Sequence, residues 1–142
     1  MGAYNKLYLE DITELQQMLF EEITDYKYEL DYNNFVEKYM NCRYRKLLDT
    51  GGTRVANMSW DEYLQYLEIN CPELFIKGTT DVDKLMSGWI GRIYNLLQYR
   101  LNIPSIEVYN KIPISTMKIV FRPLHTVSEE VALEKLLERF SN

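Results

Sequence analysis

The stretch SGWIGRIYNLLQYRL, from Ser87 to Leu101, predicts a helix in the middle of the domain. Its apolar residues do not fit on one helical stripe: Trp89, Ile90, Ile93, Tyr94, Leu96, Leu97 and Leu101. A helix that is apolar on nearly every side is normally buried. We therefore expect a central helix over about 82–101, capped by Thr80 or Asp81 and ended by Ile103-Pro104.

Two glycines, Gly88 and Gly91, interrupt this helix. Glycine inside a helix costs about 1 kcal/mol relative to alanine, so the pair needs a compensating role. Because they are three residues apart, they lie on one side and let a second helix approach closely. We expect this packing role, and a ligand or partner segment entering the notch is the alternative. Arg92 and Arg100 should reach carboxylates at the edge of the core.

Length and composition indicate one soluble domain, residues 1–142. The chain is 46% hydrophobic and 26% charged, which is ordinary for a globular protein. Only 6 glycines and 4 prolines are present, which leaves little material for tight turns and favours helices. No apolar stretch approaches the roughly 20 residues needed to span a membrane, and no charged-then-apolar leader opens the chain. A cytoplasmic protein is expected.

Helical periodicity recurs along the chain, at about Leu9–Tyr26, from after Asp31 to Leu48, Trp60–Asn70, Ser105–Lys111, 115–121 and Val127–Phe140. Three cap signals support these starts: Asp31, the Ser59/Glu62 capping box and a second box at Thr126/Glu129. The β-branched residues of Ser115–Phe121 also suit a strand, but Ser115 caps a helix equally well and no partner strand is evident, so we predict helix. The predicted fold is all-α, a single-domain bundle of about six or seven helices around the central helix.

Catalytic, metal and cofactor sites are not indicated. A zinc site needs about four Cys or His ligands, and the chain offers only Cys42, Cys71 and His125. Neither cysteine lies in a recognisable nucleophile motif. Adjacent acids such as Glu21 and Glu22 diverge on a helix, and the Glu-x-x-His spacing of di-metal bundles is absent. We therefore predict no catalytic residues, no metal, no cofactor and no enzyme activity.

The 12 tyrosines are the unusual feature of the composition. Tyrosine often packs half-buried in helical domains, but it is also enriched where proteins meet proteins. The segment DYKYELDYNNF, Asp25–Phe35, combines tyrosine with acids, which would steer a basic partner toward it. The predicted partner-binding residues are Asp25, Tyr26, Tyr28, Glu29, Asp31 and Tyr32. We expect a cognate protein partner and leave self-association open.

A short basic island gives the alternative. It consists of Arg43, Arg45, Lys46 and Arg54. These residues would serve a nucleic-acid-related regulator or a phage-type inhibitor, as possible contacts for an anion or a nucleic acid. The net charge of −5 and the shortness of the island disfavour nucleic acid, because binding phosphates needs clustered cations.

Several landmarks, taken in order, carry a resemblance. They are LYLED at Leu7–Asp11, Met58-Ser59, Gly88-Trp89 with Tyr94, and Leu124-His125. In this order the chain resembles a group of small uncharacterised bacterial proteins encoded beside ADP-ribosyltransferase-like toxins, over most of its length. The resemblance implies a cytosolic antitoxin-like or regulatory binding protein without catalysis of its own, whose partner is a toxin enzyme. It transfers no active-site residues.

Overall fold

A computed structural model describes residues 4–140, without the side chains of residues 53 and 54. The α-helices follow one another along this part of the chain: α1 Leu9–Glu22, α2 Tyr32–Met40, α3 Arg43–Leu48, α4 Thr53–Ala56, α5 Trp60–Asn70, α6 Lys84–Leu101, α7 Ser105–Lys111, α8 Ile114–Leu124 and α9 Glu129–Phe140. Short 3-10 turns accompany them at Lys6–Tyr8, Ile23–Asp25 and Pro72–Leu74. Residues 4–140 contain no β-strand, only an isolated bridge between Leu30 and Lys77. The predicted all-α bundle is confirmed.

Helix α6 is the central element, as its all-round apolar sequence predicts. It packs most extensively against α1 and also contacts α7, α8 and α9. It begins at Lys84, because the Asp83 carboxylate accepts a hydrogen bond from the Met86 N–H at 2.8 Å. The predicted cap at Thr80 or Asp81 is therefore wrong; the carboxylate of Asp81 is instead 2.7 Å from the Lys118 ammonium group. None of the helices within residues 4–140 is long and apolar enough to cross a membrane.

Gly91 of α6 allows the close approach of α1, which confirms the packing role at this position. A Cβ atom on Gly91 would lie 2.8 Å from Cγ of Phe20 and 3.0 Å from the backbone oxygen of Gln16. A Cβ atom on Gly88 would lie 2.7 Å from Cγ of Glu21. At Gly91 the two helices are also joined directly, since the Gln16 side-chain amide donates to the Gly91 carbonyl at 2.6 Å.

Of the remaining helices after α4, some have their predicted bounds, and two start at other residues than the local signals indicate. Helix α5 has the predicted bounds, and the Glu62 carboxylate accepts from the Ser59 N–H at 3.2 Å. The segment 115–121 is helical, within α8, although the helix starts after Pro113 and not at a Ser115 cap. Helix α9 begins at Glu129, where the Ser128 hydroxyl accepts from the Val131 N–H at 3.2 Å. The Thr126/Glu129 capping box is therefore wrong.

The first two predicted helices are shorter than their apolar periodicity suggests. Helix α1 ends at Glu22, and the chain then makes a 3-10 turn before it becomes extended at Tyr26. The single helix predicted from Asp31 to Leu48 is divided, because the backbone of Cys42 is extended. The Cys42 sulfur accepts from the Arg45 N–H at 3.5 Å and so starts α3. This new start sets which face of α3 turns inward.

Residues 29–32, at the start of α2, run beside residues 76–79. Three backbone hydrogen bonds join the two segments: Asp31 N–H to Ile76 O at 2.9 Å, Tyr32 N–H to Thr79 O at 3.0 Å and Gly78 N–H to Glu29 O at 3.1 Å. The close approach requires glycine at position 78, where a Cβ atom would lie 2.6 Å from Cβ of Asp31. This pairing brings the tyrosines after α1 next to the end of α5.

Candidate functional site

Of the predicted partner-binding residues, one is in the core and another caps a helix. Tyr32 has an exposed fraction of 0%, and its hydroxyl lies 2.8 Å from the hydroxyl of Ser87, which donates to the Phe20 carbonyl at 2.6 Å. Its assignment to a binding surface is therefore wrong, because the first turn of α2 directs it into the core. Asp31 is half-buried and accepts from the Asn34 N–H at 3.0 Å, so its carboxylate caps α2.

The other four candidates reach the surface: Asp25, Tyr26, Tyr28 and Glu29. Both acids are exposed but already make contacts within the chain. The Asp25 carboxylate lies 3.0 Å from the ammonium group of Lys84, and the Glu29 carboxylate accepts from the Thr80 N–H at 2.9 Å. Both contacts are at exposed positions, where such interactions contribute little to stability. The acids therefore remain available to a partner.

Tyr26 and Tyr28 wall a surface cleft of about 340 Å³ together with residues from α5 and the turn that follows it. We call it the tyrosine cleft, and it is lined by Tyr26, Lys27, Tyr28, Glu68, Ile69, Pro72 and Phe75. Ile69 is 77% exposed. Tyr66, one turn earlier on α5, and Ile76, next to Phe75 in the sequence, are exposed as well. Exposed apolar and aromatic side chains therefore flank the cleft along the chain.

The rings of the tyrosine cleft are held in a fixed arrangement. The Tyr26 ring meets the Tyr28 ring edge to face at a centroid distance of 5.0 Å, and it stacks on Phe75 at 5.3 Å. The Tyr26 hydroxyl donates to the Glu68 carboxylate, and the Tyr28 hydroxyl donates to the Phe75 carbonyl. Burial, aided by the hydrogen bond to Glu68, raises the pKa of Tyr26 above its ordinary value. The hydroxyl is therefore protonated at neutral pH and acts as a donor.

Lysines and a carboxylate surround the same rings. The Lys27 ammonium group lies 5.5 Å from the centroid of the Tyr26 ring, and the Lys77 ammonium group lies 5.5 Å from that of Tyr28. Lys27 is also 3.8 Å from the Glu68 carboxylate. The charged residues that line the cleft are Glu68 and Lys27, and Lys77 lies over the Tyr28 ring. The rings therefore have a carboxylate and two ammonium groups as charged neighbours.

The basic island does not form a surface patch, because Arg45 is in the core. Its exposed fraction is 0%, and its guanidinium donates to Oε1 of Gln16 at 3.0 Å. The same group forms an ion pair with Asp49 at 3.4 Å. Its assignment as an anion or nucleic-acid contact is therefore wrong. A buried guanidinium without a carboxylate partner would be strongly destabilising, and Asp49 supplies that partner.

Two of the other three residues of the basic island lie at the surface. Arg43 and Lys46 are exposed, and the Arg43 guanidinium lies 5.7 Å from the Tyr44 ring centroid. The side chain of Arg54 lies outside the described part of the structure.

Arg45 belongs to a buried polar cluster that sequence reasoning missed. The Tyr39 hydroxyl donates to Oε1 of Gln16 at 3.1 Å and lies 2.9 Å from the Tyr63 hydroxyl. The Gln98 Oε1 atom accepts from Arg45 at 3.5 Å. The one available signal was Gln16, a polar residue on the apolar stripe of α1. Because the cluster lies inside the core, we assign it to holding α1, α2, α3, α5 and α6 together.

The other chemically versatile residues are engaged in local structure. Cys42 and Cys71 are free and buried. The exposed His125 stacks on Phe121 at a centroid distance of 4.1 Å, and its Nδ1 atom lies 2.8 Å from the Phe121 carbonyl. Arg92 pairs with Glu129 at 2.6 Å, as its expected role at the edge of the core requires. Residues 4–140 hold no cluster of three or more His, Cys, Asp or Glu residues suited to a metal ion.

Comparison with protein-family models, with curated proteins and with solved structures gives no match for this chain. The tyrosine cleft is the surface on which we base a function. It combines ordered aromatic rings, the exposed apolar side chain of Ile69 and the Glu68 carboxylate, and it contains the two predicted tyrosines that reach the surface.

Proposed function

We propose that this protein is a non-enzymatic protein-binding module, antitoxin-like or regulatory, which occludes a cognate partner protein such as a toxin enzyme. The observation that carries the proposal is the exposed surface around the tyrosine cleft. Aromatic residues are enriched at the centres of protein interfaces, where they supply most of the binding energy. Contiguous exposed apolar surface on a soluble domain also marks interaction sites.

The fixed rings support this function further. Association costs free energy when side chains lose rotamer freedom, and a ring that is already ordered avoids that cost. Both tyrosine hydroxyls of the cleft are hydrogen-bonded within the chain, so their rings are ordered before a partner arrives. We place the protein in the bacterial cytoplasm, which the two free thiols support.

The test is capture of a partner by the tagged full-length protein from lysate of the native host, with and without nuclease treatment, followed by mass spectrometry. Ile69→Asp places a charge beside the tyrosine cleft and should abolish capture. Ile119→Asp is the matched control, because Ile119 on α8 is also an exposed isoleucine, at 75% against 77%. It should leave capture unchanged.

Two results would contradict the proposal. The first is recovery of only nuclease-sensitive material, which would favour a nucleic-acid role. The second is equal capture by the Ile69→Asp variant and the unaltered protein, which would move the interface away from the cleft. Asp25→Lys with Glu29→Lys adds a kinetic readout: if the acids steer the partner, association slows and its salt dependence weakens.

A further inference from the structure

Each tyrosine ring of the cleft is in contact with a lysine ammonium group of the same chain. The ammonium groups of Lys27 and Lys77 lie at the same distance, 5.5 Å, from the ring centroids of Tyr26 and Tyr28. The ring faces therefore accept positive charge. Both lysines are exposed, and the Lys27 side chain is 70% exposed with its nearest carboxylate oxygen at 3.8 Å. Such contacts are weak and easily exchanged.

We propose that the tyrosine cleft is a guanidinium site that binds an arginine side chain of the protein partner. Lys27 and Lys77 occupy its ring faces until that arginine arrives. This inference rests on the proposed function, since it names the chemistry by which the same surface recognises its partner.

Arginine fits the cleft better than the resident lysines do. Its guanidinium is planar and can stack on the Tyr26 ring while it donates two parallel hydrogen bonds to a carboxylate. Glu68 supplies such a carboxylate, because it lines the cleft and accepts a hydrogen bond from the Tyr26 hydroxyl. Its side chain is only 29% exposed, so an ion pair there is screened less than one in open solvent. Arginine is also less strongly hydrated than lysine, which lowers the cost of entering the cleft.

Charge complementarity selects the sign of the ligand. The carboxylate that lines the cleft is Glu68, in a chain of net charge −5, so a cation is the matching ligand. When an arginine displaces the lysines, the displaced ammonium groups return to solvent and Glu68 receives a new positive charge. The lysines therefore act as internal competitors, so their removal should strengthen arginine binding although it also removes local structure from the cleft.

The probe is N-acetyl-arginine amide, titrated into the full-length ¹⁵N-labelled protein and followed by two-dimensional NMR. We expect chemical-shift changes centred on Tyr26, Tyr28 and Ile69, with weaker changes for the lysine analogue and none for the uncharged citrulline analogue. The double variant Lys27→Ala/Lys77→Ala should bind the arginine probe about threefold or more tightly. Glu68→Gln should weaken binding by a similar factor.

The matched control is Lys38→Ala/Lys46→Ala, which removes the same net charge from exposed positions on α2 and α3. If this control strengthens binding as much as Lys27→Ala/Lys77→Ala, the effect is general electrostatics and the inference is overturned. Equal binding of the citrulline analogue, or shift changes spread over the surface, would also overturn it. If the arginine inference is overturned but partner capture is still lost in the Ile69→Asp variant, the proposed function is supported. An arginine site without any captured protein would instead refute the proposed function alone.

Discussion

The replacement of Gly91 by alanine tests whether the approach of α1 to α6 is what requires glycine. The new Cβ atom would lie 2.8 Å from Cγ of Phe20 and 3.0 Å from the backbone oxygen of Gln16, neither of which can move without shifting α1. Gly88→Ala is the matched control on the same helix. Its Cβ atom would meet Glu21 at 2.7 Å, and Glu21 is a half-buried side chain that can rotate away.

The expected free energies follow from these contacts. Alanine gains about 1 kcal/mol over glycine in a helix interior at either site. At Gly91 this gain opposes an overpacking cost of about 1–3 kcal/mol, and the separation of the helices also weakens the hydrogen bond from Gln16, which is worth about 1 kcal/mol. We expect the free energy of unfolding to fall by about 1–2 kcal/mol for Gly91→Ala. For Gly88→Ala it should stay unchanged or rise by up to about 1 kcal/mol, because only the half-buried hydrogen bond from Gln17 to Glu21 is at risk.

Urea unfolding monitored by circular dichroism measures this difference. With a slope of about 2 kcal/mol per molar urea, the midpoint of Gly91→Ala should lie about 0.5–1 M below that of the unaltered protein. The midpoint of Gly88→Ala should lie at or above it. If Gly91→Ala were as stable as Gly88→Ala, the close contact between α1 and α6 would not be the reason for glycine at this position.

Three further predictions concern the buried polar and thiol groups. Arg45→Met should lower the free energy of unfolding by about 3–5 kcal/mol, because it leaves Asp49 without its buried partner. The control Arg43→Met, at an exposed position, should lower it by less than about 1 kcal/mol. Equal urea midpoints of the two variants would refute the role of Arg45. Burial raises the pKa of Asp49 above its ordinary value of 3.8, so its contribution to stability is present below that value and is lost as pH rises through the folded-state pKa. Asp49→Asn should therefore flatten the fall of the urea midpoint between pH 4 and pH 7, and an unchanged slope would contradict the assignment. Burial also raises the pKa of Cys42 from 9.0 to about 12, so at pH 8 its thiolate is about a thousandfold scarcer than in the unfolded chain. Ellman's reagent should label Cys42 slowly in the folded protein and rapidly in urea, and rapid labelling of the folded protein would show that the thiol is not shielded.

The tyrosine surface shows how far sequence reasoning reaches toward a site. Tyr26 and Tyr28 were predicted to be partner-binding residues and do reach the surface, whereas Tyr32, in the same segment, is in the core. Composition could not separate them, because a tyrosine is equally suited to a half-buried surface and to a core with a hydroxyl partner. Ile69 and Phe75 were missed altogether. They join the cleft because Tyr26 stacks on Phe75 and donates to Glu68, the neighbour of Ile69 on α5.

The sequence by itself determined the features that depend on neighbours along the chain. These are the all-helical class, the bounds of α5 with its Ser59/Glu62 capping box, the Asp31 cap of α2 and the central place of α6. Only the tertiary structure decided whether Arg45 is exposed or buried. The sequence predicted an exposed cation, whereas the structure buries Arg45 beside Gln16 and Asp49. The physical reason is that a helix cap or an apolar stripe is fixed by residues within about one turn. The burial of a charge depends on partners that distant segments supply only after the helices have packed.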